Sequence, residues 1–304
     1  MTALELISGF ILEHLEERRP LFVALQGPQG SGKSTLSARL QSDLQAPPHS
    51  LRVAVLSIDD LYLPHEGLVS LATSHSGNIL WKGRGQPGTH DVDLGVQILS
   101  ALKHGDSPVE LPRFDKSAFG GEGDRLPMDG SGPTIKQPPP VDVVIFEGWC
   151  VGFNPISDEE LLSRWNGEWK DEKQKLGLKS DQMGRLDDIK AINEKLKDYL
   201  RLWSYVDIFV QLRPLPPSSE ELSQYAIIYK WRLEQEHNMK SLNGGRGMSD
   251  EAVKSFVDRY IPGYVFFGKA GLIQESGQGS TTRSRKGMVL TLDEDRRVVS
   301  IATF

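Results

Sequence analysis

Apolar residues along this chain follow two rhythms. Predominantly apolar runs of strand length stand at residues 21–25, 52–58, 141–146, 206–212 and 288–292, each broken by at most two polar residues. Between them lie longer segments in which apolar residues recur every three or four positions. Short, mostly apolar runs bounded by Gly, Pro and acidic residues predict strands buried on both faces, and the 3.6-residue rhythm predicts helices. Leu4, Leu6, Ile7, Phe10, Ile11 and Leu15 predict an amphipathic opening helix that Pro20 ends. Further helices are expected from Leu36, over 92–102, over 218–239, and from a Ser249 cap to about Tyr260. Residues 158–202 are highly charged, with scattered Leu, Ile and Trp. They predict two surface helices joined around 177–184, with Trp165, Trp169 and Trp203 as packing residues. Residues 298–301 read as a hairpin partner of the last strand. Strands alternating with helices argue for a parallel α/β sheet in one domain over 1–304.

Residues 61–140 break the rhythm. They are rich in Gly, Pro, His and Asp, and they are long for a connection without a purpose. The expectation is an insertion that forms one wall of a substrate pocket, with 131–140 as a surface loop.

The first strand runs into Gly27-Pro28-Gln29-Gly30-Ser31-Gly32-Lys33-Ser34-Thr35, and a helix follows. Strand, glycine-rich turn, helix is the context in which G-x-x-x-x-G-K-[ST] is a phosphate-binding loop. Glycines let the backbone turn so that its N–H groups close around phosphate oxygens, and the helix N-terminus adds its positive dipole end. Lys33 then reaches the β- and γ-phosphates, and the Ser34 hydroxyl ligates Mg²⁺. The residues of the loop, Gly27 to Thr35, are therefore the expected nucleotide site.

Carboxylates stand at the ends of two other strands: Asp59 and Asp60 after the second, Glu147 at the close of the third. Open parallel sheets bind ligands outside the carboxyl ends of their strands, so all three are placed to act. No Asn-Lys-x-Asp guanine signature occurs, and the third strand ends in Glu-Gly instead of Asp-x-x-Gly. The nucleotide is expected to be ATP.

Composition narrows the partners. Acidic residues exceed basic ones, 41 against 35, for a net charge of −6. There is no basic footprint for nucleic acid and no basic amphipathic run for a membrane surface. The one cysteine, Cys150, excludes an internal disulfide; it is either a buried filler beside a strand end or a reactive thiol. The amino-terminal residues carry acidic groups among their apolar positions, unlike a signal or transit peptide, so a cytoplasmic location is expected.

With these residues in view, a resemblance emerges. Gly27 to Thr35, then Asp59-Asp60-Leu61-Tyr62, then Phe146-Glu147-Gly148, is similar to the P-loop kinases that include uridine kinase, phosphoribulokinase and pantothenate kinase. Residues 84–91, 111–116, 229–236, 247–262 and 290–296 resemble more closely the D-glycerate 3-kinase of plants and the Tda10-type kinases of fungi. The resemblance implies a P-loop kinase fold, a five-stranded parallel sheet with helices on both faces, and a mobile lid, which with C-terminal helices takes up 218–262. It implies ATP-dependent phosphorylation of a small hydroxy acid or polyol with Mg²⁺, D-glycerate first among the acceptors. Pantothenate, a nucleoside or another polyol are alternatives, as is an ATP-binding regulatory protein.

Roles follow. Asp59 aligns with the carboxylate that related kinases use as a base; a helix cap or a pure Mg²⁺ ligand is the other reading. Ser34, Glu147 and Asp59 are the candidate Mg²⁺ ligands. Arg84 suits a carboxylate substrate, because guanidinium binds carboxylate bidentately, or it pairs with Asp91. Asp60, Tyr62, His90, Asp91, Arg113 and Asp115 are further candidates for the substrate pocket, His90 being read as structural before catalytic. Arg232 and Arg246 are candidates to reach the transferring phosphate, with Lys33, when a lid hinged at Gly244, Gly245 and Gly247 closes.

Overall fold

A six-stranded sheet forms the centre of the computed structural model, which describes residues 1–178, 184–242, 244–268 and 286–304. In chain order, α1 (Ala3–Leu15), β1 (Leu21–Gln26), α2 (Lys33–Gln45) and β2 (Val53–Ser57) come first. The insertion carries α3 (His65–Ser74), α4 (Val92–His104) and four two-residue strands. These are β3 (Val109–Glu110), β4 (Phe114–Asp115), β5 (Asp124–Arg125) and β6 (Thr134–Ile135). Then come β7 (Val143–Gly148), α5 (Asp158–Asn166), α6 (Glu168–Lys175), α7 (Leu186–Trp203) and β8 (Ile208–Pro214). The last elements are α8 (Ala226–Leu242), α9 (Asp250–Asp258), α10 (Ile261–Phe267), β9 (Lys286–Leu292) and β10 (Val298–Thr303).

The order across the sheet is β10-β9-β8-β1-β7-β2. Five strands are parallel, and β10 runs antiparallel to β9. The expected five parallel strands are present, and the hairpin at residues 293–297 adds a sixth at the edge. Because successive strand residues point to opposite faces, β1 feeds two cores. Val23 and Leu25 pack with Ile7, Phe10, Leu40 and Leu44 of α1 and α2. Phe22 and Ala24 face the cluster that holds Leu99, Leu196, Trp203 and Cys150. Being buried on both sides explains why the strand reads as an unbroken apolar run.

Two helix expectations change. Residues 158–202 hold three helices within the described residues, because Gly167 adopts φ −105°, ψ −101° and separates α5 from α6. Residues 179–183 of the expected joint lie outside the described residues. The helix expected from Ser218 starts at Ala226. Ser219 and Ser223 instead accept backbone N–H groups two residues on, a local bond that competes with helix. Trp169 and Trp203 are buried and Trp165 packs against them in the same core, as their spacing predicts. The insertion is ordered: α4 is capped by Asp91 and packs on α7.

Candidate active site

The parallel register gathers the site. Leu25 of β1 lies level with Glu147 of β7, and Glu147 in turn lies level with Ser57 of β2. The three chain segments that carry the motif, the Asp pair and Glu147 therefore leave the sheet at one edge.

In the loop after β1, Gly30 and Gly32 have φ of 72° and 88°, which favours glycine. Gly32 leaves the start of α2 without a side-chain cap, so the first-turn N–H groups stay available to an anion. The Lys33 ammonium curls back to donate to the Pro28 carbonyl at 3.0 Å. Burial lowers its pKa, against the opposing pull of Glu147 and Asp59. Ser34 Oγ donates to Glu147 Oε1 at 3.0 Å, so a hydroxyl and a carboxylate face one another at the start of α2.

Asp59 is the second residue of a single turn of 3-10 helix, Ile58–Leu61, after β2. Its Oδ1 accepts from the Tyr62 hydroxyl at 3.0 Å and its Oδ2 from the Lys116 ammonium at 2.6 Å. Burial pushes this carboxyl up, but the Lys116 charge and hydrogen bond, aided by His90 and Tyr62, hold it down at about 2. Asp60 points elsewhere and accepts the Phe114 N–H at 3.1 Å. Burial raises it to about 6. Two neighbours in sequence thus occupy opposite electrostatic settings.

One cleft of about 1890 Å³ is lined by the motif from Gln29 to Thr35 together with Asp59, Tyr62, Arg84, Glu147 and Arg232. Gly27 packs under Leu212, and Pro28 serves through its carbonyl to Lys33. Asp60 lines a smaller hollow that it shares with Ser34, Asp59 and Glu147. His90 is buried, stacked on Tyr62 at 4.5 Å and bonded through Nδ1 to Tyr199 at 2.7 Å. Burial lowers its pKa to about 4, Asp59 opposing, which suits the structural reading. Asp91 lies outside the cleft lining; it caps α4 through Leu94 N and pairs with Arg125 at 2.8 Å, not with Arg84. Arg113 and Asp115 are also outside it: Arg113 donates to Ser131, and Asp115 accepts from Ser117. Arg84 does face the cleft, but its Nη1 donates to the carbonyls of Gly121 and Glu122. Arg232 is held by the buried Glu236 at 2.8 Å, and Glu236 also accepts the Met248 N–H at 2.7 Å. Arg246 stands outside the lining.

Sequence reasoning grouped Lys116 with Arg113 and Asp115 and overlooked Arg259 and Tyr260, which line the cleft beside Arg84. Their sequence signal is faint, because only folding brings residues 116 and 259 to the strand ends. Among the described residues no group of three or more His, Cys, Asp or Glu side chains is arranged to hold a metal ion.

No family model matches the chain. It is 34% identical over 312 residues to a Saccharomyces cerevisiae protein named as a probable ATP-dependent kinase, TDA10, covering 99% of this chain and 94% of that one. This chain belongs to the D-glycerate 3-kinase and Tda10 family. It is thus an ATP-dependent P-loop kinase, a phosphotransferase with an alcohol acceptor. The chloroplastic D-glycerate 3-kinase of Arabidopsis thaliana is 32% identical over 286 residues, which span 92% of this chain and 54% of that protein. A solved structure of D-glycerate 3-kinase from Cryptococcus neoformans superposes with a TM-score of 0.84 at 34% identity, covering both chains entirely. The family's P-loop fold is the sheet and helix arrangement described above. Among the described residues no helix is long and apolar enough to cross a membrane.

Proposed function

We propose that the chain transfers the γ-phosphoryl group of Mg–ATP to a hydroxyl of D-glycerate, giving 3-phosphoglycerate. The observation that carries this reading is the Asp59 carboxylate, held between Tyr62 and Lys116 in the same cleft as the phosphate loop. The kinship with proteins named as D-glycerate 3-kinase supports the acceptor. The lining is rich in cations, among them Lys33, Arg84, Lys116, Arg232 and Arg259, which suits a triphosphate meeting a carboxylate acceptor.

Phosphoryl transfer is mainly positioning and charge neutralisation. The amides of Gly30, Gly32 and Lys33 and the Lys33 ammonium grip the β- and γ-phosphates, while those of Gln29 and Ser31 go to the Tyr264 hydroxyl and the Pro28 carbonyl. Ser34 and Glu147, already in contact, and Asp59 nearby are the groups that would hold Mg²⁺, which neutralises phosphate charge when bound. Asp59 orients the acceptor hydroxyl and takes its proton as the new O–P bond forms and the bond to ADP breaks. A carboxyl held near 2 is a weak base. In a loose transition state, where the proton leaves late, orientation is its larger contribution. Arg232 neutralises charge on the moving phosphoryl group.

The test is ADP release from Mg–ATP with and without D-glycerate, for wild type and Asp59→Asn. Wild-type turnover should require D-glycerate, and the variant should lose about 10²–10⁴ in kcat while still binding Mg–ADP. ATP turnover indifferent to D-glycerate would sink the assignment.

A further inference from the structure

Among the described residues, Arg259 is a half-buried cation of the cleft with no carboxylate beside it, whereas Arg39 and Lys82, also without one, are exposed. Lys116 is spent on Asp59, Arg232 on Glu236, and Arg84 Nη1 on two main-chain carbonyls. Among the described residues the Arg259 guanidinium has neither a carboxylate partner nor a hydrogen bond; its contact is the Phe256 ring, 5.6 Å from Cζ to centroid. Arg232 lies over the same ring at 5.5 Å. Phe256 is therefore flanked by two guanidinium groups, one from α8 and one from the end of α9, and all three side chains line the cleft.

The placement is built in. Phe256 and Arg259 are three residues apart, on one face at the end of α9. Gln86 Nε2 donates to the Arg259 carbonyl at 2.5 Å, tying the end of α9 to the loop that carries Arg84. Gly83 lies beside the guanidinium: a Cβ there would stand 3.4 Å from Arg259 Nη1, in ordinary contact. Lys82 lines the same end without a partner, but it is exposed to solvent, where an ammonium discriminates weakly. A half-buried, unpaired guanidinium at the acceptor end is shaped for a planar, bidentate anion.

We propose that Arg259 is the residue that selects the acceptor, pairing its guanidinium with the acceptor's carboxylate while the shared Phe256 ring keeps it in line with Arg232. The inference deepens the kinase reading above and rests on it. Arg84 then acts from the side, holding the loop at 121–123 as a wall of the acceptor pocket.

The experiment measures kcat/KM for two acceptor classes, small hydroxy acids (D-glycerate, glycolate) and neutral polyols (glycerol, erythritol), in wild type, Arg259→Gln, Arg259→Lys and Lys82→Gln. Mg–ADP binding by calorimetry, within twofold of wild type in Arg259→Gln, checks that the variant is folded. Arg259→Gln should lower kcat/KM for the acid about 100-fold, mostly through KM, and erase the preference for acids over polyols. Arg259→Lys, keeping the charge but not the fork, should recover about tenfold of that loss. Lys82→Gln should change it less than threefold. An unchanged acid KM in Arg259→Gln, or a larger effect from Lys82→Gln, overturns the proposal and leaves the kinase reading standing. If wild type uses glycolate and not D-glycerate, the same ratios are read on glycolate: the D-glycerate assignment falls and the Arg259 inference is decided. Turnover of polyols alone, or of neither class, overturns both.

Discussion

Asp59 and Asp60 differ by one position and by their partners. Lys116 and Tyr62 favour the ionised form of the first. The half-buried second is desolvated and meets the Asp59 and Glu147 charges, which the Phe114 N–H and the Lys116 charge are too weak to offset. The Asp60 carboxyl therefore titrates at about 6 in the fold and at 3.8 outside it. Between these values the folded form holds the extra proton, so this group's contribution to stability declines as pH rises from about 4 to 6, and stays low above. Asp60→Asn keeps an acceptor for Phe114 N–H and removes the titration. In magnesium-free buffer the variant should gain, relative to wild type, on the order of 1 kcal/mol between pH 4.5 and 7.5. Urea titrations at the two pH values measure it, and a variant offset that does not change with pH would refute the account. From the chain alone both carboxylates could be placed at a strand end. Their separate tasks could not be read, because the groups that divide them lie at positions 114 and 116, over 50 residues onward.

Elements, more than residues, explain how the phosphate loop keeps its shape. The motif was legible from its spacing, and so were the strand before it and the helix after it. Its outer clamp was not. Trp231 of α8 donates its indole N–H to the Glu294 carbonyl at 2.7 Å, and Arg296 lies over the Trp231 ring while its Nε donates to the Gly30 carbonyl at 2.7 Å. Two elements more than 200 residues away thus close on the loop, with no local pattern to announce them. The clamp makes a sharp contrast between two glycines of left-handed φ. A Cβ at Gly30 would stand 2.5 Å from the Trp231 carbonyl carbon, whereas at Gly32 the nearest atom is Arg296 Cδ at 3.9 Å. Gly30→Ala should cost about 2–3 kcal/mol and abolish Mg–ADP binding, while Gly32→Ala should cost about 1 kcal/mol, its backbone strain alone. Urea unfolding and calorimetry on both variants test this, and equal losses would show that Trp231 does not press on the loop. The same dependence on distant packing explains the helix corrections. Periodicity carried the pattern past Gly167 and back to Ser218, but local backbone and hydroxyl bonding decide where helices break.

At the scale of the molecule, the cleft is wider than its reaction needs. Small-molecule sites commonly enclose about 300–1,000 Å³, and this one spans about 1890 Å³. Its walls are α3, through Val69, Ala72 and Thr73, and α9, through Ala252, Ser255 and Phe256. An alcohol acceptor competes with water for the phosphoryl group, so a kinase of this chemistry gains by excluding water before transfer. The turn between α8 and α9 is suited to a hinge: Gly244 and Gly245 have φ of 74° and 84°, and nothing lies within 4 Å of where their Cβ atoms would be. We expect α9 to move toward α3 when both ligands are bound, carrying Arg259 to the acceptor and drawing Arg232 inward with the Phe256 ring between them. Closure brings cations of a chain with net charge −6 onto two anionic ligands, so it should need both of them. Small-angle scattering should show a smaller radius of gyration with Mg–ADP plus D-glycerate than with either alone. Limited proteolysis should show residues 244–248 protected under the same condition. Scattering curves that superpose in all three states would mean that water is kept out by some other device, and that Arg232 and Arg259 act from where they stand.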